Sequence, residues 1–117
     1  MAQATFRHGN PLMVDYTPGS DVAAGQVVVV GDLPLVAHVD IAANTQGALA
    51  AGGGVYRMTA DGAIDQGEAV YWDATAGKLT KTTSGAKHLG FVCPGQSAAQ
   101  DGESLDVIHR PDGSALP

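Results

Sequence analysis

The sequence predicts an all-β fold, a small barrel-like sandwich of short strands with glycine-rich turns and little or no helix. Three observations carry this reading. Sixteen glycines and six prolines are spread along all 117 residues instead of gathering in a linker. Between them stand short runs of β-branched and aromatic residues, each bounded by turn formers. No long segment keeps a clean helical period, although the alanines of 41–51 allow a short turn of helix.

The breaks fall at Pro18-Gly19, Gly31-Asp32, Gly52-Gly53-Gly54, Asp61-Gly62, Ala76-Gly77, Gly85, Pro94-Gly95, Asp101-Gly102 and Asp112-Gly113. They leave strands near 4–8, 12–16, 26–30, 35–40, 46–50, 55–59, 68–73, 78–82, 88–93 and 104–110. The four valines of 27–30 are apolar on both faces, and Leu35, Val36, Ala37 and Val39 are nearly so. Small residues in 46–50 suit tight packing. Val70, Tyr71 and Trp72 place bulk on opposite sides of one strand, and Ala76-Gly77 turns that strand into the next. A turn glycine, a polar residue and an apolar strand recur at Gly25-Gln26-Val27, Gly67-Glu68-Ala69 and Gly102-Glu103-Ser104, at spacings too unequal for a solenoid or propeller. The whole chain, 1–117, reads as a single β domain, with 1–10 as an extended N-terminal arm and 111–117 as a short tail.

Six Lys+Arg against 12 Asp+Glu give a formal charge of -6, which argues against nucleic acid as a partner. Ten of the acidic residues are Asp, many beside Gly, so much of the charge is turn chemistry. Lys78, Lys81 and Lys87 share a segment, whereas Arg7, Arg57 and Arg110 are scattered, and all six read as solvated positive spots in preference to an anion site. The longest apolar stretches, 27–30 and 33–39, are far short of the ~20 residues of a membrane helix, so no membrane partner is expected. Residues 1–6 lack the layout of a signal peptide. A single cysteine, Cys93, excludes an internal disulfide and fits assembly in a reducing compartment.

Catalytic groupings are missing. His8, His38, His88 and His109 stand apart without Cys partners at ligand spacing. Asp61, Asp65 and Glu68 lack the alternating ligands of a calcium loop. No Gly-Lys-Ser/Thr follows Gly52-Gly53-Gly54, and no serine stands in a Gly-x-Ser-x-Gly elbow. Cys93, ahead of Pro94 and at the end of an apolar run, reads as an inert buried thiol. Neither an enzyme nor a bound cofactor or metal is expected.

Taken in order, Val14-Asp15-Tyr16-Thr17-Pro18-Gly19, Val22-Ala23-Ala24-Gly25-Gln26-Val27, Ile41-Ala42-Ala43 and Gly47-Ala48-Leu49-Ala50 form a distinctive series. Ala63-Ile64-Asp65-Gln66-Gly67-Glu68-Ala69-Val70-Tyr71-Trp72-Asp73-Ala74-Thr75-Ala76-Gly77-Lys78 continues it, with Leu89-Gly90-Phe91-Val92 and Leu105-Asp106-Val107-Ile108 at its end. This series resembles the small capsid decoration, or cement, proteins of tailed bacteriophages over about residues 4–110. Its most specific stretch is Gly67 to Lys78. Departures are His8-Gly9-Asn10-Pro11 and the tail 111–117.

The resemblance implies a structural protein on the exterior of a phage head, assembled in the host cytoplasm, present in symmetric copies and bound to the major capsid protein. A homo-oligomer is expected, a trimer favoured over a dimer. Such a protein would stabilise the shell by clamping neighbouring capsid subunits. Extended arms reach a neighbour cheaply, so Ala2, Gln3, Ala4, Thr5, Phe6 and Arg7 are candidates for capsid contact, a reading that stands level with a frayed chain end. Two-faced apolar strands need cover, either from loops folded across one side of a closed barrel or from a neighbouring subunit; on the second reading Val27, Val28, Val29, Val30, Tyr71 and Trp72 are candidates for subunit interfaces. The competing class is a virion-associated surface module that binds a glycan or host surface through Trp72, Tyr16, Tyr56 or Tyr71.

Overall fold

A computed structural model describes residues 3–82 and 85–111. Among these are ten strands and no helix: β1 (Ala4–Gly9), β2 (Met13–Tyr16), β3 (Val27–Val30), β4 (Leu33–Ala37), β5 (Gly47–Ala50), β6 (Gly54–Thr59), β7 (Ala69–Asp73), β8 (Lys78–Thr80), β9 (Lys87–Val92) and β10 (Ser104–His109). All ten overlap the segments read from the sequence. β4 starts earlier than expected because Gly31-Asp32 makes a two-residue hairpin loop, pairing Val30 with Leu33 and drawing Pro34 into the strand. Gly31 sits at φ 61°, a left-handed conformation that glycine adopts without strain.

The strands form two antiparallel sheets, β1-β6-β10-β9-β7-β8 and β2-β5-β4-β3. Both sheets are open, so the architecture is a sandwich and not a closed barrel. The larger sheet curls at one end until Ala60 bridges Leu79, yet that contact is a single isolated bridge. Two bulges shape this sheet. One falls in β1 between Phe6 and His8, leaving Arg7 as the extra residue. The other falls between β7 and β9 near Val70 and Tyr71, where Gly90 passes so close to Ile108 that no side chain fits.

Period-two alternation explains the main core. In β6, Tyr56 and Met58 point inward while Val55, Arg57 and Thr59 are half-buried on the other face. In β10, Leu105, Val107 and His109 point inward between Ser104, Asp106 and Ile108. Trp72, Val70, Leu79, Leu89 and Val92 complete this layer, and Val27, Val36 and Ala50 close it from the smaller sheet.

A second, smaller core lies on the other face of the small sheet and accounts for its two-faced strands. Leu35, Ala37 and Leu49 pack there beneath Val22 and Ile41, with Val28 and Tyr16 alongside. Val22 and Ile41 sit in separate loops joined by reciprocal backbone hydrogen bonds of 2.8 Å. The loops are pinned further by their acids: Asp21 accepts from Ala43 N at 2.9 Å and Asp40 from Ala24 N at 2.8 Å. The chain's own loops therefore cover much of this face, while Val30 and Leu33 at the hairpin end stay exposed, at 39% and 42%.

Candidate functional site

The residues singled out in the sequence fall into three places. Ala2 lies outside the described residues. Gln3 ties β1 to the small sheet: its side-chain oxygen accepts from Val27 N at 2.8 Å, and Gln3 N and Ala4 N both donate to Gly25 O at 2.9 Å. Ala4 is buried and Thr5 is exposed. Phe6 lies over a seam between the sheets, its ring 4.8 Å from His38 and 5.5 Å from Tyr56. Arg7, displaced by the bulge, reaches Asp106 on β10 at 3.7 Å.

The valines divide by face. Val27 is buried in the main core, Val29 packs against that core, and Val28 packs against the second. On the large sheet Trp72 is only 2% exposed and fills the core, whereas Tyr71 faces outward with its ring 5.3 Å from His88. The structure thus joins the N-terminal segment to Val27 through Gln3, and leaves Tyr71 apart from both, four strands from β1 in the large sheet. With Trp72 and Tyr56 both inside, neither ring offers a platform to a sugar.

The seam under Phe6 holds a polar network. His38 Nε2 and the Tyr56 hydroxyl share a 2.5 Å hydrogen bond, and His109 Nε2 lies 2.7 Å from the Pro34 carbonyl. A carbonyl only accepts, so Nε2 carries the proton and Nδ1, which is buried without a hydrogen-bond partner, is the bare nitrogen. Burial lowers the His109 pKa; the bond to Pro34 opposes this, and the nearby His38 adds to the lowering. Burial pushes the Tyr56 hydroxyl up to about 12. The same seam has an open groove of about 190 Å³ lined by Phe6, His38, Tyr56 and Val36. Burial raises the Cys93 thiol and the Asp106 carboxylate raises it further, which keeps the sulfur protonated. Among the described residues, no three His, Cys, Asp or Glu side chains converge as a metal site.

One grouping escaped the sequence reading. Arg57 on β6 approaches the same Asp106 at 3.1 Å, so two guanidiniums from β1 and β6 share one carboxylate on β10. The 3.1 Å contact is an ion pair without hydrogen-bond alignment, and both of its atoms are inaccessible to solvent. Next to it Val55, Ile108 and Phe91 lie in register across β6, β10 and β9. The signal was the strict alternation of 55–59 and 104–109, which places these side chains on the face opposite the core.

Comparison with known protein families matches residues 6–109 to the family described as phage cement protein. No curated protein matches the chain, and neither does any solved structure. The match takes in every strand from most of β1 to the end of β10. The chain belongs to the phage cement protein family.

Proposed function

We propose that this member of the phage cement protein family, a family with a structural, capsid-stabilising role in the virion, acts from the capsid exterior, binding the assembled lattice and clamping neighbouring copies of the major capsid protein. The single observation that carries this reading is the family match over residues 6–109. Mass action supplies the mechanism: a protein that binds the assembled shell and not its separated subunits stabilises the shell as its free concentration rises above Kd. Many modest contacts repeated by symmetry hold more tightly than one.

Within this proposal the segment from Ala2 to Arg7 contacts the capsid, with Thr5, Phe6 and Arg7 offering the exposed side chains. The protein works as a homo-oligomer, a trimer in preference to a dimer, and is added in the host cytoplasm. Val30 and Tyr71 make the direct subunit contacts. Val28 and Val29 hold the strand between the two cores, while Val27 and Trp72 act from inside by fixing the strands that carry the exposed groups.

Light scattering of the purified protein, followed by co-sedimentation with expanded, undecorated capsids, tests the proposal. A defined oligomer that saturates the capsids is the expected result. A monomer that stays in the supernatant would overturn it.

A further inference from the structure

All three arginines of this acidic chain, Arg7, Arg57 and Arg110, reach one half of the large sheet although they are far apart in sequence. Arg7 and Arg57 bind Asp106 on one side of the row formed by Val55, Ile108 and Phe91. Arg110, exposed and just past the end of β10, continues the pairing with β9 through its N–H to the Leu89 carbonyl at 2.8 Å, so that period-two alternation from Ile108 puts it beyond the other side of the row. The two paired guanidiniums keep 47% and 42% of their side chains accessible, and Phe91 is 36% exposed. The result is an apolar strip bracketed by positive charge on a molecule of net charge -6.

We propose that this outward face of β6, β10 and β9, continuous with the N-terminal segment through Arg7, also docks on the major capsid protein, and that it recognises a patch where carboxylates surround an apolar side chain. The inference rests on the cement reading above and adds the chemistry of the contact. Among the described residues, three guanidiniums against the one carboxylate that pairs with any of them, Asp106, leave a local positive surplus, which selects an acidic partner. Guanidiniums pair with carboxylates in a bidentate fork, and interface centres are enriched in arginine and aromatic residues. A nucleic acid fits the face less well, because its phosphates would meet a central apolar strip and the repulsion of the whole chain. The bulge at Arg7 has a role in this arrangement: the extra residue turns a side chain of the edge strand onto the face.

The test compares two charge-matched double variants of the full-length protein in titrations onto expanded, undecorated capsids at about 50 mM and about 200 mM salt. Arg7→Gln with Arg110→Gln removes charge from the face and leaves Arg57 to pair with Asp106. Lys78→Gln with Lys81→Gln removes the same charge elsewhere. The expected result is roughly ten-fold weaker capsid binding for the arginine pair, with a shallower salt dependence, and a change within about two-fold for the lysine pair. Equal unfolding midpoints for the two variants would show that the loss is not one of folding. Wild-type affinity in the arginine pair, or equal losses in both pairs, would overturn the docking face while leaving the cement reading intact. Loss of self-association by the arginine pair with capsid affinity unchanged would assign the face to a second copy and overturn the proposal. Failure of the wild type to bind capsids would sink the cement reading and the proposal together.

Discussion

A methyl group at Gly90 would stand 1.7 Å from the Ile108 carbonyl oxygen and 2.9 Å from Arg110 N. Both atoms belong to the neighbouring backbone, so neither can swing aside as a side chain would. Gly90→Ala is expected to destabilise the fold by about 3 kcal/mol or more, at the upper end of overpacking costs, and to lower the denaturant midpoint. His109 gives a pH signature. Its pKa is lowered in the folded protein, so at mildly acidic pH the unfolded chain binds more protons than the folded one. Stability is therefore complete above the unfolded value of about 6.5 and falls as the pH drops below it. His109→Gln, which keeps a donor for the Pro34 carbonyl, should flatten that acid limb in unfolding measured across pH. At the alkaline end the sign reverses for Tyr56, raised to about 12: stability falls as pH climbs from about 10 towards that value.

At the scale of elements, β3 and β4 show what the sequence could and could not reveal. Their two apolar faces were visible in the four valines and in Leu35, Val36 and Ala37, because burial on both sides leaves no polar alternation. That loops could cover the second face was visible, but not which residues do so, since Val22 and Ile41 come from separate loops and meet through a single bridge. Ile41 is 4% exposed and touches Leu35, Ala37 and Leu49 only through tertiary packing. Ile41→Ala should cost about 2–4 kcal/mol and increase binding of a hydrophobic dye, whereas a mutation confined to the exposed hairpin end should do neither. Strand positions were legible from the turn formers together with the β-branched and aromatic runs between them. β4 starts two residues before the segment read from the sequence because the Gly31-Asp32 hairpin pairs Val29 with Pro34, which sits in an interior strand and offers its carbonyl to His109.

For the whole molecule, the informative quantity is the distribution of charge. Composition gave the net -6 correctly and with it the argument against nucleic acid, but it said nothing of where the positive groups meet. Arg7, Arg57 and Arg110 look scattered in the chain because β1, β6 and β10 become neighbours only through long-range pairing. The family was legible for a different reason: no single motif is specific, but their order along the chain resembles that of phage cement proteins, and the family match over residues 6–109 spans the whole series. The most direct measurement is the temperature at which expanded capsids disrupt, recorded while the free concentration of this protein is raised through its Kd. The expected result is a disruption temperature that rises with the logarithm of concentration above Kd, as linkage requires of a ligand that binds only the assembled shell. Saturated binding with no change in that temperature would contradict a stabilising role.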